Sequence, residues 1–245
     1  MQRISIVQRI YKMVAPILPL RLRVLLSLLR IRGRLKIGKG SFVHCTVQIL
    51  GRAHVQIGTN TCISERSWLN VNHRLSGEIG IMIGDNSFIG RNNFLSSGQR
   101  IVIGDYCLTT IGCRFISSTH LIDNPRLPVI ATGTTANDTI TVGANCFFGA
   151  GAAVLGNVKI GHGSVIGSQA FVLRDVPPFS IVLGNPARVT RRYSFRQDIW
   201  IPVESLTDDD LAENPGAEEY LELLRTTNPR VPLPWIAAGA DMGSF

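Results

Sequence analysis

This sequence of 245 residues lacks long apolar runs, paired cysteines and acidic residues near its N-terminus. No apolar run approaches the roughly 20 residues of a membrane-spanning helix, and no cleavable signal is apparent. With 45% hydrophobic and 17% charged residues, the chain falls among globular proteins and is long enough for one or two domains. We therefore expect a cytoplasmic protein without a membrane span.

The cysteines form an odd set without the paired spacing of a disulfide framework or a zinc site. They are Cys45, Cys62, Cys107, Cys113 and Cys146. In a reducing compartment a thiol behaves as a small apolar residue, so we interpret them as core positions and expect no metal.

The first 64 residues contain eleven Lys or Arg and no acid, the first carboxylate being Glu65. Apolar clusters alternate there with basic residues and are broken by Pro16 and Pro19. We interpret residues 1–36 as a basic amphipathic helical segment. It would cap the open end of the following domain, or lie on the anionic inner face of the cytoplasmic membrane, or do both. Nucleic acid is not an expected partner, because no stacking platform or known motif accompanies the basic residues.

From Val142 onwards an aliphatic or aromatic residue occupies every sixth position. The positions are Val142, Phe148, Val154, Ile160, Ile166 and Val172. Neither the 3.6-residue period of a helix nor the 2-residue period of a strand gives this spacing. A six-residue period is typical of a parallel β-helix, in which one face and its corner take six residues and three faces make a coil of about 18.

Earlier copies of the repeat begin at Ile37, Ile57, Ile83 and Ile103, each followed directly by glycine. Together with the two coils after Val142, they predict about six coils in an all-β domain over residues 37–192. The sixth-position side chains should point inward and stack on their counterparts in the next coil, about 4.8 Å away.

One long gap interrupts the series between Phe115 and Val142. Residues 116–140 carry Pro125, Pro128 and Gly133, and they predict a loop that protrudes from the coil. His120 stands at the entrance of this loop. A neutral imidazole can take a proton from a hydroxyl at neutral pH, which makes His120 a candidate general base.

The C-terminal residues 193–245 change composition again. The stretch Leu206–Leu224 predicts one or two short amphipathic helices, capped by Thr207 or Asp208. Three prolines after residue 228 predict an extended tail. No chemistry can be assigned to this segment from its residues.

Several motifs occur here in the order found in a known family. They are IGDYC at 103–107, His120, the hexapeptides, RDVPPFS at 174–180 and LGNPARV at 183–189. In these features the chain resembles the left-handed β-helix acyltransferases. It is most similar to the galactoside, maltose and nodulation O-acetyltransferases and to enzymes that acetylate bacterial surface polysaccharides. The resemblance covers roughly residues 37–192, and it alone implies a left-handed coil, against the usual right-handed crossover.

The resemblance implies direct transfer from acetyl-CoA, in active sites between neighbouring subunits of a homotrimer. It assigns His120 as the base that deprotonates the acceptor hydroxyl. It implies backbone contacts from Ala150 and Ser168 to the pantetheine arm of the cofactor. The further contact positions that it implies are Leu173, Arg174, Arg188 and Arg191, the last two near the adenosine phosphates.

The sequence departs from the family's pattern at two further positions. Where the sugar acetyltransferases place an acceptor-binding asparagine, this chain has Gly90, with Asn92 and Asn93 just after it. We assign these two asparagines to the acceptor. Where several members have a tryptophan beside the cofactor, the chain has Phe147, which we assign to the cofactor.

The predicted function is acetyl transfer from acetyl-CoA to a hydroxyl of a saccharide, in surface-polysaccharide biosynthesis. An N-acetyltransferase of an amino sugar or antibiotic and a non-catalytic β-helix scaffold remain alternatives. A zinc carbonic-anhydrase-like β-helix would need three histidines at a subunit interface, and the five histidines lack that pattern.

Overall fold

The computed structural model describes residues 35–74 and 77–232. The basic helical segment predicted for residues 1–36 lies outside these ranges except for its last two residues, as does the end of the C-terminal tail. No helix among the described residues is long and apolar enough to cross a membrane.

The described chain winds into a β-helix with three parallel sheets, here called sheets 1, 2 and 3 in the order in which each coil visits them. Sheet 1 contains β1 (Lys36–Ile37), β4 (Val55–Ile57), β7 (Ile81–Ile83), β10 (Arg100–Ile103), β13 (Thr139–Val142) and β16 (Val158–Ile160). Sheet 2 contains β2 (Phe42–Val43), β5 (Cys62–Ile63), β8 (Phe88–Ile89), β11 (Leu108–Thr109), β14 (Phe147–Phe148), β17 (Val165–Ile166) and β19 (Ser180–Leu183), followed by β20 (Arg188–Ser194) and β21 (Ile199–Pro202). Sheet 3 contains β3 (Gln48–Leu50), β6 (Trp68–Val71), β9 (Phe94–Ser97), β12 (Arg114–Ile116), β15 (Ala153–Leu155) and β18 (Phe171–Val172).

The six coils and their starting residues agree with the six-residue repeat. Each strand of sheet 1 from β4 onwards pairs in parallel with the strand one coil earlier, so Val142 lies between Ile103 and Ile160. The six side chains from Val142 to Val172 that define the repeat are at most 2% exposed. The repeat therefore forms one continuous apolar core along the axis, as predicted for the left-handed β-helix fold.

Polar side chains at the corner between sheets 1 and 2, here called corner 1, link each coil to the next. Each donates to a backbone carbonyl of the following coil over 2.6–3.2 Å. The donors are Ser41, Thr61, Ser87, Cys107, Cys146 and Ser164. The thiols of Cys107 and Cys146 thus replace hydroxyls in this series. Four cysteines are buried as predicted, but the prediction was wrong for Cys45, which is exposed.

The chain after the last coil differs from the predicted helical tail. After Leu183 it reverses, so that β20 pairs antiparallel with β19 and β21 pairs with β20. The last coil leaves the edge of sheet 2 unpaired, and a hairpin that supplies two antiparallel strands satisfies it. The strands extend to Pro202, inside the segment predicted to be helical or extended.

Two α-helices follow the hairpin, as predicted. Helix α1 (Asp208–Leu211) begins after Thr207, whose backbone N–H donates to the Asp210 carboxylate at 2.8 Å. Helix α2 (Ala217–Thr227) follows it. Short 3-10 turns lie at Arg52–His54, Val129–Ala131 and Val203–Ser205.

The segment from α2 to Val231 runs back along corner 1. Arg225 forms an ion pair with Asp105 at 3.1 Å. Further along, Tyr106 donates to the carbonyl of Asn228 at 3.1 Å, and Asn60 donates to that of Val231 at 2.9 Å. The segment covers corner 1. It does not cover the corner between sheets 2 and 3, here called corner 2, or the corner between sheets 3 and 1, here called corner 3.

Candidate active site

The predicted loop protrudes at corner 3, where residues 117–138 connect β12 to β13. Its two ends form a short antiparallel stem. The N–H of Thr135 donates to Thr119 O at 2.8 Å, and the N–H of Leu121 donates to Gly133 O at 2.9 Å. Between these bonds His120 lies directly opposite Thr134. The stem fixes the backbone of His120 relative to the β-helix wall.

The imidazole of His120 is exposed to solvent. No hydrogen bond from it to another described residue is present. Residues directly opposite each other in an antiparallel pair project on the same side, so the side chains of His120 and Thr134 share one face of the stem. A solvent-facing imidazole on a fixed backbone can take a proton from a bound hydroxyl, as a general base must.

A second histidine contacts the same stem. His73 Nε2 lies 3.2 Å from the carbonyl oxygen of Thr135 and 3.2 Å from Thr134 Oγ1. No role in the site was predicted for His73 from the sequence. The coil that begins at Ile57 is 26 residues long, which is the longest spacing apart from the predicted loop. This extra length, at the corner that also carries the loop, is the signal that could have identified His73.

The asparagines assigned to the acceptor lie at corner 2, away from the corner that carries His120. Asn92 is exposed and adopts a left-handed backbone with φ of 55°. Asn93 is only 1% exposed, and its amide donates to Thr110 O at 2.7 Å and Arg91 O at 3.1 Å. The burial of Asn93 favours a role in holding the coils together over the predicted contact with an acceptor.

Two residues assigned to the cofactor, Ala150 and Ser168, also lie at corner 2, in successive coils. The N–H of Gln169 donates to Ala150 O at 2.8 Å, which stacks the two turns directly. Phe147, half-buried on β14 of sheet 2, comes before the same turn. The structure thus brings Asn92, Ala150 and Ser168 to one corner.

Three other cofactor residues meet at the C-terminal end of the β-helix. Leu173, Arg174 and Arg188 line a cavity of about 350 Å³ there. Arg191 does not line it; this residue lies on β20 opposite Ile181. A larger cleft of about 440 Å³ next to His162 contains none of the predicted site residues, so we place no chemistry in it.

Arg192 was not identified from the sequence. Its guanidinium donates to Pro178 O at 3.0 Å, while its buried Nε has no hydrogen-bond partner among residues 35–74 and 77–232. Burial lowers the pKa of Arg192. The neighbouring Arg188 donates to Ala187 O at 2.8 Å. The hairpin β20–β21, which the repeat did not predict, therefore brings three arginines next to the last coil.

The family model of the bacterial transferase hexapeptide (six repeats) matches residues 139–174. The chain contains the hexapeptide repeat of the bacterial transferases. This match confirms the predicted resemblance to hexapeptide-repeat transferases.

Two relatives and one solved structure extend the comparison. A Mycobacterium tuberculosis protein named probable acetyltransferase is 30% identical over 169 residues, which are 69% of this chain and 52% of the relative. A Staphylococcus aureus protein that also bears the name of an acetyltransferase is 34% identical over 131 residues, 54% of this chain and 62% of the relative. The chain thus spans roughly half to three fifths of these relatives' lengths. AntD, an N-acyltransferase from Bacillus cereus crystallised with dTDP and 3-hydroxybutyryl-CoA, shares the fold with a TM-score of 0.58, at 18% identity over 82% of this chain and 95% of AntD.

The described residues contain no cluster of three or more His, Cys, Asp or Glu side chains that could hold a metal ion.

Proposed function

We propose that the protein transfers an acetyl group from acetyl-CoA to a hydroxyl of a saccharide, in the biosynthesis of a surface polysaccharide. The observation that carries this proposal is the solvent-facing imidazole of His120 on a two-stranded stem, next to a hexapeptide-repeat wall. Relatives of this chain that bear the names of acetyltransferases support the reaction class.

In the proposed reaction, His120 removes the proton of the acceptor hydroxyl as the oxygen attacks the thioester carbonyl carbon. The new C–O bond forms, the C–S bond breaks, and the thiolate of CoA leaves. The proton taken by His120 then passes to the thiolate, which regenerates the neutral imidazole. No acetyl-enzyme intermediate is needed.

The residues present fit the proposed co-substrate. Arg174 and Arg188 line the end cavity, and guanidinium groups suit phosphate oxygens. The turns that carry Ala150 and Ser168 are stacked at the adjacent corner, where they would offer backbone contacts to the pantetheine arm. Leu173 lines the same cavity, and Phe147 and Arg191 are further proposed contacts.

We propose that the active molecule is a homotrimer, because the proposed site is divided. His120 lies at corner 3, whereas the proposed pantetheine contacts Ala150 and Ser168 lie at corner 2, so two neighbouring copies would complete one site. Between these corners, the outer face of sheet 3 exposes apolar side chains, with Leu50 46% and Trp68 39% exposed. Such side chains support a partner copy on this face. Sedimentation equilibrium that gives an active monomer would contradict the trimer.

We propose that the protein also contacts a membrane, because residues 1–36 combine apolar clusters with basic residues. The protein would then act in the cytoplasm, at the inner face of the membrane where lipid-linked saccharides are assembled. Cosedimentation with anionic vesicles at low salt, compared between the full chain and a chain lacking residues 1–34, tests this contact.

The reaction is tested with radiolabelled acetyl-CoA and a panel of sugars with and without a free amino group. Base-labile label on a sugar without an amino group would support the O-acetyltransferase. Base-stable label that appears only on amino sugars would favour the N-acyltransferase alternative, the activity named for AntD. Release of CoA that is independent of any saccharide would contradict both.

A further inference from the structure

The stem that carries His120 has an outgoing strand and a returning strand. Among the described side chains outside the loop and its flanking strands, only His73 forms hydrogen bonds to the returning strand. Its Nε2 lies 3.2 Å from Thr135 O and 3.2 Å from Thr134 Oγ1. A carbonyl oxygen only accepts hydrogen bonds, so the proton of His73 must reside on Nε2 in this arrangement. The Thr134 hydroxyl oxygen then accepts a shared hydrogen bond from the same N–H group.

The bonds connect two distant parts of the chain. His73 lies two residues after β6, in the coil that begins at Ile57, whereas Thr134 and Thr135 lie about sixty residues later, at the end of the loop. Within the stem, Thr135 bonds Thr119 and lies next to Thr134, which is paired with His120. A displacement of the returning strand is therefore transmitted directly to the backbone of His120.

The other hydrogen bonds of the stem join its own two strands to each other. Two backbone hydrogen bonds lie near His120, donated by Thr135 and Leu121. The N–H of Thr119 donates to Thr135 Oγ1 at 3.1 Å, and the Ser118 hydroxyl donates to Thr135 O at 3.2 Å. Beyond it, the loop side chains Ile122 and Ile130 are 73% and 91% exposed, so they supply little packing. The hydrogen bonds of His73 therefore contribute strongly to the position of the stem.

We propose that His73 is a positioning residue for the transfer reaction: it fixes the returning strand of the loop and thereby the distance between His120 and the acceptor hydroxyl. This inference rests on the proposed role of His120. Misplacement of a catalytic group by about 1 Å can lower a rate by roughly 100-fold, so an anchor of this kind affects turnover without touching the substrate.

The test compares His73→Phe, which keeps an aromatic ring but has no donor, with His73→Gln, whose amide nitrogen can replace Nε2. His44→Phe is the control, because His44 is a half-buried histidine whose side chain bonds within its own turn, to Thr46 at 2.9 Å. We expect His73→Phe to lower kcat about tenfold, the worth of one ordinary hydrogen bond. The KM for acetyl-CoA should stay within twofold, and His73→Gln should restore most of the rate.

Hydrogen exchange gives a readout that does not need activity. The amides of Leu121 and Thr135 should exchange faster in His73→Phe than in the wild type or in His44→Phe. Normal turnover and exchange in His73→Phe would overturn the proposal, and so would faster exchange with an unchanged kcat. If the wild type transfers no acetyl group, the proposed function fails and exchange alone decides whether His73 anchors the stem. If His120→Ala keeps full activity, the role of His120 fails and positioning of a base fails with it.

Discussion

The side-chain amide of Asn145 donates a hydrogen bond to the hydroxyl of Tyr220, and this contact joins helix α2 to corner 1 of the β-helix. The ring of Tyr220 is buried between His162 and Phe179, with ring centroids 5.4 and 4.9 Å away. The C-terminal helix is therefore attached by an apolar contact that ends in one polar group. Tyrosine suits such a place because its ring is apolar and its tip forms a hydrogen bond.

We expect the ring of Tyr220 to contribute more to stability than its hydroxyl. Tyr220→Phe should lower the free energy of unfolding by about 1 kcal/mol, the net value of a hydrogen bond. Tyr220→Ala should lower it by about 3–5 kcal/mol, since it leaves a cavity among His162 and Phe179. Urea denaturation measures both, with Leu223→Ala, which alters a half-exposed side chain of the same helix, as the control. Equal losses in the two Tyr220 variants would contradict this account.

The sequence predicted those parts of the fold that follow the six-residue repeat. Six-residue spacing fixes which side chains point inward, so Phe148 and Ile166 were placed correctly in the core. The hairpin β20–β21 has no repeat, and it forms because the last coil leaves a strand edge to be paired. Its pairing depends on a surface that exists only after the coils have formed, which a local pattern cannot predict.

The candidate site was predictable only in part, for a related reason. The interruption of the repeat predicts the place of His120 at the entrance of the loop, whereas its proposed role comes from the family resemblance. Asn92 and Asn93 are adjacent in sequence, but the corner turns between them, so that one side chain faces solvent and the other is buried. His73 reaches the stem across separate coils, and only the unusual length of its own coil pointed to that corner.

Loss of the imidazole of His120 should impair chemistry and not binding. His120→Ala is expected to lower kcat roughly 10²- to 10⁴-fold, the range for loss of a general base. The affinity for acetyl-CoA should remain within a few-fold, because other residues hold the thioester in the proposed site. Steady-state kinetics and calorimetric titration with CoA separate the two effects. Near-normal transfer to several sugars by His120→Ala would show that another group removes the proton.

Removal of a guanidinium from the end cavity should have the opposite effect. Arg188→Ala is expected to raise the KM for acetyl-CoA about tenfold, with kcat nearly unchanged, because the contact is made equally in the ground and transition states. Arg196→Ala removes an arginine from the same hairpin and outside the cavity lining, and it serves as the control. A KM shifted equally by both variants would indicate general electrostatic attraction and not a specific phosphate contact.

The roles of the two asparagines at corner 2 can be tested by separate substitutions. Asn92→Gly removes the side chain while keeping the left-handed conformation accessible, so a change in the acceptor KM would report a contact with the acceptor. Asn93→Ala should instead lower the free energy of unfolding by about 1–3 kcal/mol, because it leaves the carbonyl of Thr110 without this donor. Thermal unfolding and acceptor kinetics on both variants decide the roles. An Asn93→Ala protein of normal stability with a raised acceptor KM would reverse this assignment.

Glu65 should make the stability of the protein depend on pH in the acid range. The Ser64 hydroxyl donates to its carboxylate at 2.5 Å, and Arg91 lies 3.0 Å away. The Ser64 hydrogen bond, a backbone hydrogen bond and the charge of Arg91 lower the pKa of Glu65 from 4.5 to about 2. A carboxyl group whose pKa is lowered on folding stabilises the protein above the unfolded value, and this stabilisation is lost as the pH falls from about 4.5 towards 2.

Glu65→Gln therefore should be less stable than the wild type near pH 7, and the two should converge as the pH approaches 2. The side chain of Glu65 is one-third exposed and that of Arg91 about two-thirds, so solvent screening keeps the expected difference below about 1 kcal/mol. Urea denaturation of both proteins at several pH values measures this difference. Glu213→Gln, which alters an exposed carboxylate of the C-terminal segment, is the control for the loss of one surface carboxylate. If the difference between Glu65→Gln and the wild type stayed constant from pH 7 to pH 2, it would reflect altered packing, because a loss of charge must disappear once the native carboxylate is protonated.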